Sequence, residues 1–193
     1  TSDLVMYADD DARLLPETPA VVKRPFEENP DLDVAFFCAS TYTGKSLKNY
    51  PKSSFEVLAM PKDYSISTLE MVCRRRKVQG KVRFDERFGL GTPFLTCGEE
   101  EVWLEDALRA KLKMYYFPEK IVETRTMLKK SLVYVDPGVQ RSRGPIAYYR
   151  YAMQSWWKSF LSAFHSARRG HCNFHPMMRH LVEGIRFMKR TSR

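Results

Sequence analysis

The sequence predicts an α/β fold: a mixed sheet flanked by helices and followed by two C-terminal amphipathic helices. Three observations carry that expectation. Short apolar runs alternate with helical periodicity through residues 4–122, and those runs stop at acidic, Gly-bearing or Pro-bearing loops. Beyond residue 145 the apolar side chains recur at helical spacing.

Taken in order, Leu4 to Ala8 is an apolar run that stops at Asp9-Asp10-Asp11, the pattern of a buried strand ending in an acidic loop. Pro16 to Asn29 reads as a helix with Pro16 in an early position, a kink at Pro25 and a stop at Asn29-Pro30-Asp31. Asp33 to Ala39 is a second buried strand, and Tyr42 to Ser54, with Gly44 and Pro51, is a loop. Ser65 to Arg75 mixes β-branched and apolar residues and reads as strand then turn. Val82 to Phe84 leads into the glycine-bearing loop 85–91. Glu99 to Leu112 is the clearest helix of the body, with Leu104, Leu108 and Leu112 on one stripe and Trp103 and Ala107 beside it. Lys113 to Phe117 is a strand closed by Pro118. Residues 124–145 are loop-like, punctuated by Pro137-Gly138 and Gly144-Pro145. The first C-terminal helix sets Arg150, Gln154, Lys158, Ser162 and His165 on a polar stripe, with Tyr149, Met153, Trp156, Trp157, Phe160, Leu161 and Phe164 filling the rest. The second has an apolar face of Met177, Met178, Leu181, Val182, Ile185 and Met188.

Charge is distributed unevenly. Of the net +9, residues 141–193 hold eleven Lys or Arg against one acid, Glu183, which leaves 21 bases and 22 acids in the first 140 residues. A neutral body with a basic extension predicts two regions, 1–140 and 141–193. It also argues against nucleic acid as the partner, because that function places positive charge on the folded body. The four cysteines are widely spaced with no Cys-x-x-Cys pair, the pattern of free thiols in a reducing compartment. No signal peptide opens the sequence and no run of eighteen uncharged apolar residues occurs, so a cytoplasmic location is expected. His171, Cys172, His175 and His180 match no common zinc spacing.

Two acidic clusters carry the chemistry. A strand ending in Asp-x-Asp presents two carboxylates to a hard divalent cation, Mg²⁺ or Mn²⁺, which takes its remaining oxygen ligands from phosphate and water. The same three aspartates would serve equally as a solvated turn. At Gly98-Glu99-Glu100-Glu101 a helix opens on three acids. They stabilise a helix start through the dipole, and one of them is placed to act as a general base toward a hydroxyl.

The segments LVMYADDDARL (4–14), FDERFGLG (84–91) and CGEEEVWLEDALRAKLKMYYFPEKIV (97–122), in that order, resemble the GT-A-fold family 2 glycosyltransferases over about residues 3–122. The resemblance implies a GT-A-like sheet and an inverting transfer of sugar from a nucleotide donor, UDP-linked, to an acceptor hydroxyl in polysaccharide or glycan biosynthesis. It makes Asp9 and Asp11 the ligands of Mn²⁺ or Mg²⁺ on the donor diphosphate, with Asp10 between them. Glu100 becomes the catalytic base with Glu99 as its neighbour. Phe88, Gly89, Leu90 and Gly91 fall on the acceptor side, where a carbohydrate or lipid-linked glycan would lie.

The departures are informative. In that family a strand-helix-strand unit that holds the nucleobase precedes the Asp-x-Asp loop. Nothing before Asp9 corresponds to it, so truncation at the N-terminus is expected. Ile121-Val122-Glu123-Thr124-Arg125 lacks the histidine that many relatives carry near the metal. The Gln-x-x-Arg-Trp motif of processive synthases is absent, which favours transfer of one sugar at a time. Arg141 and Arg143 either reach the donor diphosphate as charged donors or are solvated loop arginines. The alternative function is a non-catalytic fragment of the same fold acting as a partner or scaffold. The basic, aromatic-rich stretch 146–190 fits a helix lying on an anionic membrane surface, at the inner face of the cytoplasmic membrane, or else two helices packed as core.

Overall fold

The structure, a computed structural model, describes residues 3–59, 61, 64–125 and 131–191. Its contacts divide the chain into two compact units, residues 1–83 with 103–128 and residues 84–102 with 129–193. The expected junction at 140/141 falls inside a helix of the second unit.

The first unit is α/β. Its strands are β1 (Leu4–Met6), β2 (Arg13–Leu14), β3 (Val34–Thr41), β4 (Phe55–Glu56), β5 (Met71–Arg74) and β6 (Met114–Thr124), with helices α1 (Thr18–Glu28) and α2 (Arg75–Val78). The sheet runs β1-β5-β3-β6-β2, with β4 also on β6. Only β3 and β6 pair in parallel, so the sheet is mixed. β3 is buried over Val34–Ser40, which explains its unbroken apolar run: a strand covered on both faces has no reason to alternate. Val22 and Phe26 of α1 pack with Ala35, Phe37 and Ala39 on one face, together with Val72 and Ile121. Pro19 occupies the first turn of α1, where the missing N–H is harmless, and Pro25 lies inside the helix.

Several expectations are corrected here. β1 is a half-buried edge strand rather than a buried one, paired on one side only. Ser65 to Arg75 holds a 3₁₀ turn (Thr68–Glu70) before β5, and α2 follows it. Strand β6 continues through Pro118 instead of stopping there. The β3–β6 register shifts between Phe36 and Cys38, opposite Pro118, and on the other side β4 reaches only Tyr115–Tyr116 while β2 begins at Val122. Proline therefore sits where the ladder is already interrupted, the position strands tolerate. The helix α3 (Glu99–Arg109) ends before Leu112. Lys111 adopts φ +57, and Lys111 N and Leu112 N donate to the Leu108 and Ala107 carbonyls at 3.0 Å, a Schellman closure.

The second unit is helical: the first turn of α3, then α4 (Leu132–Val135), α5 (Pro137–Tyr151), α6 (Ser155–Arg168) and α7 (Phe174–Arg190). Most of the loop expected over 124–145 is thus strand end or helix, with residues 126–130 outside the described residues. Asp136 caps α5 by accepting from Val139 N at 2.8 Å, and Pro137 takes the first helical position. Gly144, expected to break the chain, instead permits close helix crossing. A Cβ there would collide with the Leu181 carbonyl oxygen of α7, and one at Gly184 would collide with the Arg141 carbonyl of α5. Two expected C-terminal helices are three, because Ala152 at φ +47 separates α5 from α6. One apolar cluster joins Phe88, Leu95, Val102, Ile146 and Met188, and another joins Ala163, Met177 and Leu181.

Candidate functional site

In the first unit, β1, β3 and β6 point the same way, so their carboxyl ends share one side of the sheet. That is where ligands gather in α/β sheets. β1 and β2 lie at opposite edges, and residues 7–12 lead from one to the other. Asp9–Ala12 forms a turn closed by Ala12 N donating to the Asp9 carbonyl at 3.1 Å. Tyr42, the first residue past β3, donates its hydroxyl to the Asp11 carbonyl at 2.5 Å and so pins the turn to that end of the sheet. Arg13 lies over the Tyr42 ring at 4.8 Å, and Arg125, just past β6, lies 6.0 Å from the same ring. Tyr42, Arg13 and Arg125 escaped the sequence reading because only the strand order brings them beside the acidic turn.

Asp9 and Asp10 are exposed and Asp11 half-buried. Partial desolvation by the surrounding turn raises the Asp9 carboxyl above its ordinary range although the residue is exposed, and the negative charges of Asp11 and Asp10 raise it further. Such mutual repulsion is relieved by a cation. Among the described residues, no group of three or more His, Cys, Asp or Glu side chains is arranged to hold a metal ion by itself.

In the second unit, Gly98 (φ +100) turns the chain into α3, and the loop folds back so that Gly89 (φ +114) faces Glu99. A Cβ at Gly89 would lie 3.2 Å from the Glu99 carboxyl carbon, a tight contact, and the backbone angle itself is the one that calls for glycine. Gly89 N donates to the Leu95 carbonyl at 3.0 Å, and the Thr92 hydroxyl donates to the same carbonyl at 2.5 Å. Phe88 is packed into the apolar cluster, whereas Leu90 stands 94% exposed between Gly89 and Gly91. Glu99 is half-buried and its Oε2 has no hydrogen-bond partner among the described residues. Burial raises its carboxyl above the ordinary value and the Glu101 charge adds to this, against the opposing pull of the Glu99 and Gly98 backbone N–H groups. Glu100 is half-buried beside it.

Arg141 and Arg143 lie on α5, not on a loop. Arg143 Nη1 meets Glu101 Oε1 at 2.6 Å, and Arg141 lies over the Phe94 ring at 4.8 Å while donating to the Phe94 carbonyl. The structure thus joins Glu99 with Gly89 and Glu101 with Arg143 in one unit, and Asp9–Asp11 with Tyr42, Arg13 and Arg125 in the other. Comparison with protein-family models, with curated proteins and with solved structures finds no match to this chain.

Proposed function

We propose that the chain is the metal-binding and catalytic portion of a GT-A-like, inverting glycosyltransferase that moves a sugar from a nucleotide donor to an acceptor hydroxyl. The single observation that carries this reading is the acidic turn at the carboxyl ends of β1, β3 and β6, held there by Tyr42 through the Asp11 carbonyl. Asp9 and Asp11 would hold Mn²⁺ or Mg²⁺ against the diphosphate of a UDP-linked donor. The cation, when bound, neutralises the charge that develops on the leaving diphosphate. Arg13 and Arg125 add two permanent positive charges beside the turn, in the role that a histidine fills in the resembling family.

On the acceptor side Glu100 takes the hydroxyl proton as the acceptor oxygen bonds to the anomeric carbon. The bond from that carbon to the diphosphate oxygen breaks from the opposite face, and one displacement inverts the centre. Glu99, with its elevated carboxyl and unpartnered oxygen beside Gly89, is the second candidate for that proton. The exposed edge of the acceptor loop is Leu90 with its flanking glycines, and the acceptor is a carbohydrate or lipid-linked glycan.

A screen of nucleotide sugars by thermal shift with Mn²⁺ identifies the donor, followed by transfer assays on Glu100→Gln and Glu99→Gln. The expected result is loss of transfer in Glu100→Gln with donor binding nearly intact. Near-normal transfer in Glu100→Gln, with loss in Glu99→Gln, reassigns the base. Near-normal transfer in both variants overturns the mechanism.

A further inference from the structure

Helix α6 is inverted relative to a core helix. It buries small residues, Ser155, Ser159 and Ala163, and leaves Trp157, Phe160 and Phe164 exposed. Trp157 is 63% exposed, Phe164 45% and Phe160 37%, and Met153, one turn before Trp157, is 71% exposed. Trp157, Phe160 and Phe164 recur at intervals of three and four residues, which places them on one face of α6, and Met153 lies in the 3₁₀ turn Ala152–Gln154 that leads into it. A stripe of this kind ordinarily packs inward, so its outward orientation calls for an occupant.

The charge around the stripe selects that occupant. α6 carries Lys158, His165 and Arg168 and no acid, and Arg169 follows directly. Beside the helix, a cavity of about 380 Å³ is lined by Arg143, Arg150 and Lys158 against one carboxylate, Glu101. Ser159, on the same wall, has a buried hydroxyl with no hydrogen-bond partner among the described residues. A second copy of this face would bring cation against cation. The rings are stacked on each other along the helix, Trp157 on Phe160 at 5.4 Å and 12°, and Phe160 on Phe164 at 6.2 Å and 6°. Aromatic residues on one side and lysine and arginine flanking them is the composition of a helix that lies in the headgroup layer of an anionic bilayer. Among the described residues no helix is long and apolar enough to cross a membrane, so the contact is with the surface.

We propose that α6 docks the chain on an anionic lipid surface, with Met153, Trp157, Phe160 and Phe164 entering the headgroup layer and Arg150 and Lys158 meeting lipid phosphates. Vesicle flotation of the whole chain tests this, comparing phosphatidylcholine alone with phosphatidylcholine containing phosphatidylglycerol, and recording tryptophan emission in parallel. Of the three tryptophans, Trp103, buried at 1% exposure, contributes a constant background, and Trp156, half-buried on α6, reports together with Trp157. Binding to the anionic vesicles is expected, with a blue shift and with weakening at high salt. Trp157→Ser/Phe160→Ser should lower that binding by about tenfold or more, since it removes apolar area and leaves the buried Ser155, Ser159 and Ala163 in place; a melt of the variant checks the Phe160–Phe174 ring contact that it also removes. Lys158→Glu should also weaken it. Absence of binding to anionic vesicles, equal binding to both vesicle types, or tight binding of single-stranded nucleic acid in their place overturns the proposal. So does a dimer in solution that Trp157→Ser/Phe160→Ser dissociates. None of these readouts depends on sugar transfer.

Discussion

Glu99→Gln removes a formal charge from a carboxylate whose Oε2 is buried without a hydrogen-bond partner among the described residues. Burial and the Glu101 charge raise this group above its usual 4.5, and the backbone N–H groups at the start of α3 only partly offset them. A raised carboxylate binds its proton more tightly in the folded chain than in the unfolded one. Its ionisation therefore lowers stability as pH rises from about 4.5 through the folded value, and the loss is complete above it. The amide carries no charge at any pH. The amide keeps a polar atom in the place of Oε2, so the gain is only the relief of the desolvated charge, on the order of 1 kcal/mol for a half-buried group. For a chain of this length the melting temperature of Glu99→Gln should rise by about 2–4 °C at neutral pH. Circular-dichroism melts of both proteins at about pH 7 and about pH 3.5 read the effect. The gain should vanish at the acid pH, where both states of the parent are protonated. A lower melting temperature at neutral pH, or a gain of equal size at both pH values, refutes the reasoning. A stabilising loss of charge that also lowers transfer is the signature of a residue kept for function at the expense of stability.

Three further outcomes are expected. Tyr42→Phe removes the hydrogen bond to the Asp11 carbonyl, which should cost about 1 kcal/mol in denaturant unfolding and weaken Mn²⁺-dependent nucleotide binding more than it weakens the fold. Gly144→Ala drives a methyl group into the Leu181 carbonyl, so it should destabilise the α5–α7 crossing by about 3 kcal/mol, visible as a separate loss of helical signal on heating. Lys48→Ala strands Glu70, which is fully buried and held by Lys48 at 2.9 Å with Tyr50 and Tyr64. The expected cost is about 3–5 kcal/mol at neutral pH, smaller in acid where Glu70 protonates, and denaturant titration at two pH values measures it.

The parts of the fold that the sequence announces are those in which one local signal dominates. β3 is a run of buried residues, α3 opens on acids, and α7 follows the spacing of Met177, Leu181, Ile185 and Met188. Where a residue has two uses, tertiary context decides. Pro118 reads as a stop, yet a register shift in the sheet accommodates it. Gly144-Pro145 reads as a loop, yet the glycine is there for Leu181 to approach. Lys48 and Glu70, 22 positions apart, give no sign of pairing, although their ion pair fixes the loop from Tyr42 to Ser54 onto the sheet. The candidate site divides in the same way. Its acids stand out as clusters in the sequence, but the tyrosine that pins the acidic turn, and the arginines stacked on that tyrosine, become neighbours only through strand order.

Isothermal titration of UDP into the chain, with and without Mn²⁺, and repeated on Asp9→Asn and Asp11→Asn, tests most directly whether the acidic turn holds a diphosphate through a metal. Binding of UDP that requires Mn²⁺ and falls by about tenfold or more in each variant is the predicted result. UDP binding that is indifferent to the metal, or that both variants retain, contradicts it, as does the absence of UDP binding in the presence of Mn²⁺.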